Sequence, residues 1–169
     1  FQTNDDVGIN TALFGVEKVD KPNEHLRYTN VIIGLALKQL YTITRSVPWY
    51  PLYHYAVNMI ATIALLYVMI SLRFTWTRLI LFICYFIGVE LYFLNFLQFT
   101  MTSMIAGFAG IIVFAGRAHY RDSLKTWWII ALAVSLLVLS CLVRRKGLYL
   151  VILTTGPFLV MTFIDTWNT

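Results

Sequence analysis

Residues 52–72 read LYHYAVNMIATIALLYVMISL, with no charged side chain among them. At 1.5 Å per residue a helix of that length measures about 30 Å, the thickness of a bilayer's hydrocarbon core. Its few polar residues, His54, Asn58 and Thr62, recur every four positions and so fall on one stripe of an otherwise apolar surface. The stretch reads as a membrane span with one polar edge, and a helix that lipid solvates sets the fold class of the chain.

Four further blocks repeat the pattern at about 79–97, 99–116, 127–143 and 148–164. The expected architecture is therefore an all-α polytopic transmembrane bundle of about five spans filling residues 52–169. The 99–116 block holds Gly107, Gly110 and Gly116 beside Thr100, Thr102 and Ser103, a composition that suits either a re-entrant segment or close helix packing. Gly156-Pro157 predicts a kink in the last span.

Composition agrees with this reading. Of the 169 residues, 59% are hydrophobic, 16% aromatic and only 12% charged, whereas soluble domains carry about a quarter charged residues. The net charge of +5 comes from 13 basic residues scattered between the apolar blocks. No run tracks a phosphate backbone, so lipid headgroups are expected as partners and nucleic acid is not. Cationic residues divide five to five between the two sides of a five-span arrangement, which leaves orientation open. Cys84 and Cys141 lie inside apolar blocks and read as small hydrophobes.

Before the first span, residues 1–30 are polar, contain five of the eight acids, and read as an extramembrane loop with short helical pieces. Residues 31–45, VIIGLALKQLYTITR, gather Gly34, Lys38, Gln39, Thr42 and Arg45 at helical spacing. The 31–50 segment is expected as an amphipathic interfacial helix, with Trp49-Tyr50-Pro51 at headgroup level.

Several residues are candidates for chemistry. Asp5 and Asp6 are adjacent carboxylates able to act as a general base toward a hydroxyl, or to hold a divalent cation or a sugar. Read from the residues alone, Thr3 with Asp6 fits a helix-capping box better than it fits a site, and Asp5 near a helix N-terminus gains from the dipole. Glu90 stands near the middle of the second span, where an ionisable group normally faces the bundle interior and has a partner. Asn95 and Gln98 would extend a polar path from it, and His54 belongs to the stripe on the first span. Arg144-Arg145-Lys146 occupies a link too short to leave the headgroup zone. Arginine forks match phosphate oxygens, so the cluster suits a lipid phosphate as well as plain headgroup contact. No pattern for zinc, a phosphate loop or a nucleophile elbow occurs.

The strings Thr3-Asn4-Asp5-Asp6, NVIIGLALKQLYTITRSVPWY (30–50) and LQFTMTSMIAGFAGIIVF (97–114) resemble a family of bacterial polytopic membrane proteins. Their layout is similar to the GT-C superfamily of lipid-dependent glycosyltransferases. In that superfamily an acidic motif opens the first outward loop, a juxtamembrane helix follows, and many spans come after. The resemblance implies a first span upstream of Phe1 and a bacterial plasma-membrane location with the N-terminal loop on the outer face. It further implies Asp5 or Asp6 as catalytic base and a polyprenyl-phosphate-linked sugar as donor. Arg144, Arg145 and Lys146 would steady the leaving phosphate, while His54 and Glu90 remain candidates for substrate contact. A transporter or flippase built on Glu90, His54 and Asn58 is the alternative.

Overall fold

In a computed structural model the described residues are Ile9, Leu13, 29–71, 75–116 and 123–167, the last stretch having described side chains at 127–157, 159 and 160. Thr3, Asp5, Asp6 and nearly all of the N-terminal loop lie outside them. So do His25, His119, Arg73, Arg117, Arg121 and the Lys125 side chain.

Six helices and no strand occur among the described residues: α1 Val31–Ile43, α2 Trp49–Ser71, α3 Trp76–Asn95, α4 Phe99–Gly116, α5 Ser123–Val143 and α6 Arg145–Trp167. The fold is the all-α bundle expected. Three of them, α2, α3 and α4, are long and apolar enough to cross a membrane, and the apolar part of α5, Trp127–Val143, is shorter. The outer surface carries Ile63, Leu81, Ile87 and Leu153 well exposed. Water would penalise so apolar a surface and hydrocarbon solvates it at no cost, so the chain is an integral membrane protein.

The first span begins at Trp49, three residues ahead of the expected 52. Pro51 fits there because the first-turn N–H groups have no helical partner to lose. The corner joining α1 to α2 is fixed at two points. The Tyr50 backbone N–H donates to the Tyr41 hydroxyl at 2.9 Å, and the Trp49 indole N–H donates to the Thr44 carbonyl at 3.0 Å. Burial pushes the Tyr41 phenol above its ordinary value of 10.0, so it serves this corner as a neutral hydroxyl.

Helix α1 starts at Asn30, whose side-chain oxygen accepts from the Ile32 N–H at 3.0 Å. It buries Ile33, Gly34, Leu37 and Tyr41. Gly34 thus belongs to the inward face, not to the polar face with Gln39, Thr42 and Arg45, which are exposed. Val31, Ile32, Leu35 and Ile43 are exposed as well, so the outer side of α1 mixes apolar and polar groups. Its inner side joins Ile9, Leu13, Tyr50, Phe99 and Val143 in one buried cluster.

Helix α4 is the centre of the bundle, packed against α2, α5 and α6. Its glycines serve close packing. A Cβ on Gly107 would stand 2.8 Å from the Ser140 hydroxyl, and one on Gly110 would stand 2.9 Å from Leu137 and 3.1 Å from the Ala133 carbonyl. On α6, a Cβ on Gly147 would come 2.5 Å from the Ser103 hydroxyl. Serines reinforce the contact. The Ser103 hydroxyl lies 2.9 Å from the Ser140 carbonyl and 2.8 Å from the Arg144 carbonyl, and the Ser140 hydroxyl donates to the Ser103 carbonyl at 2.7 Å. The re-entrant option for 99–116 gives way to a continuous helix of 18 residues buried on most sides. Helix α6 runs on through Gly156-Pro157.

Gly110→Val should destabilise the protein by about 1–3 kcal/mol, since the nearest obstacle includes backbone. Gly88→Ala, where a Cβ meets nothing within 4 Å, should change stability little. Thermal unfolding in detergent micelles measures both, and equal losses would refute the packing role.

Candidate functional site

Two polar regions stand out in this apolar molecule. The first is at the end of the bundle where α5 turns into α6 through a single residue, Arg144. The Arg144 N–H donates to the Ser140 carbonyl at 3.0 Å, while its own carbonyl accepts from Gly147 at 3.1 Å. One residue therefore closes α5 and opens α6. The Asn30 backbone N–H donates to the Leu142 carbonyl at 3.0 Å, which brings the start of α1 to the same place.

These elements line an open cavity of about 400 Å³ bordered by Thr29, Asn30, Val31, Cys141, Arg144, Arg145 and Lys146. Its chemistry is cationic. Three basic side chains border it, and the N-termini of α1 and α6 add partial positive charge. The carbonyl of Leu142, which would oppose an anion here, is already occupied by Asn30. The Thr29 hydroxyl oxygen is buried on the cavity wall with no hydrogen-bond partner. A tetrahedral oxyanion supplies what that wall lacks, acceptors for the cations.

The three cations are not equivalent, although they are consecutive in sequence. Arg144 is half-buried, donates to the Thr100 hydroxyl and lies 4.8 Å over the Phe99 ring, so it ties the hairpin to the start of α4. Arg145 and Lys146 are exposed. Cys141, expected as an inert hydrophobe, is half-buried on the cavity wall.

The second region lies inside the bundle between α2 and α3. His54, Asn58, Thr62 and Glu90 are all buried, the last to 1% exposure. Glu90 accepts from the Tyr85 hydroxyl at 3.1 Å, and Thr62 of α2 lies beside the same carboxyl. The His54 ring sits edge-on to Tyr50 and Tyr53, with centroids 4.6 and 5.2 Å away, and neither ring nitrogen has a hydrogen-bond partner. Asn58 Oδ1 and Glu90 Oε1 also have none.

Sequence reasoning did not find Tyr85. Residues five apart on an α-helix point about 140° away from each other. Here Phe86–Glu90 forms a π-turn, in which the Leu91 N–H reaches back to the Phe86 carbonyl, and this brings Tyr85 and Glu90 to one side. Gly88 was the local sign of irregular backbone. The expected extension through Asn95 does not form, because that side chain is exposed and donates to its own helix at Leu91, 2.8 Å away. Thr29, Asn30 and Val31 were also missed, being ordinary residues in sequence that become cavity wall only when α1 meets the hairpin.

The structure thus separates the candidates. Arg144, Arg145 and Lys146 share one cavity, and His54 and Glu90 share the interior stripe with Asn58 and Thr62. Asp5 and Asp6 lie outside the described residues. Among the described residues no three His, Cys, Asp or Glu side chains come together as a metal site. Comparison with protein-family models, with curated proteins and with solved structures finds no match to this chain.

Arg144→Ala should lower thermal stability in micelles by about 1–3 kcal/mol through loss of buried contacts, whereas Arg145→Ala and Lys146→Ala should stay within about 0.5 kcal/mol of the parent. Losses of equal size at all three positions would contradict this division.

Proposed function

We propose that the protein is a lipid-dependent glycosyltransferase of the bacterial plasma membrane, acting at its outer face in envelope or surface polysaccharide assembly. The observation that carries the reading is the cationic cavity at the α5–α6 turn, built at one end of an apolar bundle. A sugar donor on a polyprenyl phosphate presents its phosphate at that depth, while its chain remains in lipid. Arg145 and Lys146 would hold the phosphate, and Arg144 would keep the turn in position.

In the transfer, an acceptor hydroxyl oxygen attacks the anomeric carbon of the donor sugar. Asp5 or Asp6 takes the hydroxyl proton as the bond from the anomeric carbon to the phosphate oxygen breaks. The electron pair leaves on the polyprenyl phosphate, whose growing negative charge the cations stabilise. The scheme requires the acidic pair at the cavity end of the bundle. Ile9, three residues beyond Asp6, is buried there against Leu37, Tyr41 and Val143. On this reading α5 and α6 complete five spans, and the 1–30 loop faces outward.

The buried stripe of His54, Asn58 and Glu90 supports a second reading, transport of a small polar or lipid-linked solute. That reading makes Glu90 necessary for flux and the acidic pair dispensable.

In the intact protein, Asp5→Asn with Asp6→Asn should abolish sugar transfer from a polyprenyl-phosphate donor by at least about 100-fold, with membrane insertion unchanged. Arg145→Ala with Lys146→Ala should weaken use of the donor by about 10-fold or more through KM. Transfer assays on purified protein in lipid read both, and full activity in the acidic double variant would remove the carboxylates from the mechanism.

A further inference from the structure

Helix α6 turns one side to the bundle and the other to lipid, and the exposed cations of its first turn stand at the head of the lipid side. Gly147 and Val151 are buried, while Tyr149, Leu153 and Val160 are well exposed. At about 100° per residue, these three lie about 40°, 80° and 60° round the helix axis from Arg145. All fall inside the roughly 100° that separates Arg145 from Lys146, so an apolar stripe runs down from between two cations. Along the axis Tyr149 stands about 6 Å and Leu153 about 12 Å from Arg145, both within the roughly 15 Å of one leaflet's hydrocarbon.

Cations above an apolar stripe match an anionic amphiphile. The cavity at the turn is bordered by Arg144, Arg145 and Lys146, and no acidic side chain is among its lining residues. The first N–H groups of α6 add partial positive charge at the same end. Two exposed cations hold a free phosphate only weakly, because water and salt screen them. A phosphate carried on hydrocarbon chains is instead already concentrated in the plane of the turn. Headgroup charge then selects the lipid. Phosphatidylcholine offers the same phosphodiester but sets a quaternary ammonium near Arg145 and Lys146, whereas a glycerol headgroup leaves the lipid with a net negative charge. The Tyr149 ring, apolar in body and polar at its hydroxyl, suits the ester level one turn below the phosphate.

We propose that the α5–α6 turn binds one phospholipid of net negative charge, with its phosphodiester between Arg145 and Lys146 and an acyl chain along Tyr149 and Leu153. The site shares the cationic cavity with the glycosyltransferase reading but needs neither the acidic pair nor a sugar. A donor phosphate entering the cavity would have to displace this lipid.

The test is native mass spectrometry and thermal unfolding of the purified full chain in micelles, titrated with phosphatidylglycerol, phosphatidylcholine or soluble glycerol phosphate. One retained phosphatidylglycerol and a saturable rise in Tm of about 3–5 °C are expected, with no such rise from the other two. Arg145→Gln with Lys146→Gln should weaken phosphatidylglycerol binding by at least about 10-fold, and Arg145→Lys should keep it within about threefold. An equal rise with phosphatidylcholine would show that net charge does not matter, and an equal rise with glycerol phosphate that the chain does not. Either result overturns the proposal, as does unchanged affinity in the double variant or no saturable binding at all. Should the double variant fail to fold, Arg145→Gln and Lys146→Gln taken singly decide by the same criterion. Asp5→Asn with Asp6→Asn should leave this binding unchanged, so failure of the lipid site and failure of the glycosyltransferase reading are told apart.

Discussion

The contact of α4 with the α5–α6 hairpin is the constraint on which the remainder of the molecule rests. Lipid tails compete on equal terms with apolar side chains, so helices in a membrane are held by close approach and by hydrogen bonds that lipid cannot offer. This protein uses both at one seam. Gly107, Gly110 and Gly147 remove the side chains that would keep the helices apart, and Ser103 and Ser140 bond reciprocally across the gap. Because Ser103 also reaches the Arg144 carbonyl, the seam fixes the turn itself. The cationic cavity forms where that turn meets the start of α1, through the Asn30–Leu142 backbone hydrogen bond.

The two polar regions obey different electrostatic rules. At the α5–α6 turn Arg145 and Lys146 are exposed, so their charge is tolerable there. In the interior, hydrocarbon makes each unpaired polar atom expensive. The stripe on α2 therefore stays turned inward and never reaches the lipid-facing surface. Helix α3, whose remaining faces are largely exposed, is rotated at its π-turn so that Glu90 points in. A regular helix would have placed Tyr85 and Glu90 on different sides.

A good part of this was legible in the chain. Uncharged blocks such as 52–72 determine by themselves that the protein is helical and membrane-embedded, since only a helix satisfies every backbone group within one segment in lipid. The spacing of His54, Asn58 and Thr62 likewise determines one inward stripe, because helical periodicity is a property of the local chain. Asn30 as a cap and Gly107 and Gly110 as packing positions were within reach for the same reason.

Tertiary structure decided the rest. Whether 99–116 re-enters or forms the central helix depends on what surrounds it, and the answer came from α2, α5 and α6. Three consecutive cations read as equivalent until Thr100 and Phe99, more than forty residues away in sequence, engage Arg144 and leave only Arg145 and Lys146 exposed. Thr29 acquires a role only where α1 meets Leu142. Periodicity and charge act between near neighbours along the chain and so can be read from it. Cavities and partnerships arise between distant segments, and they become definite only when packing brings those segments together.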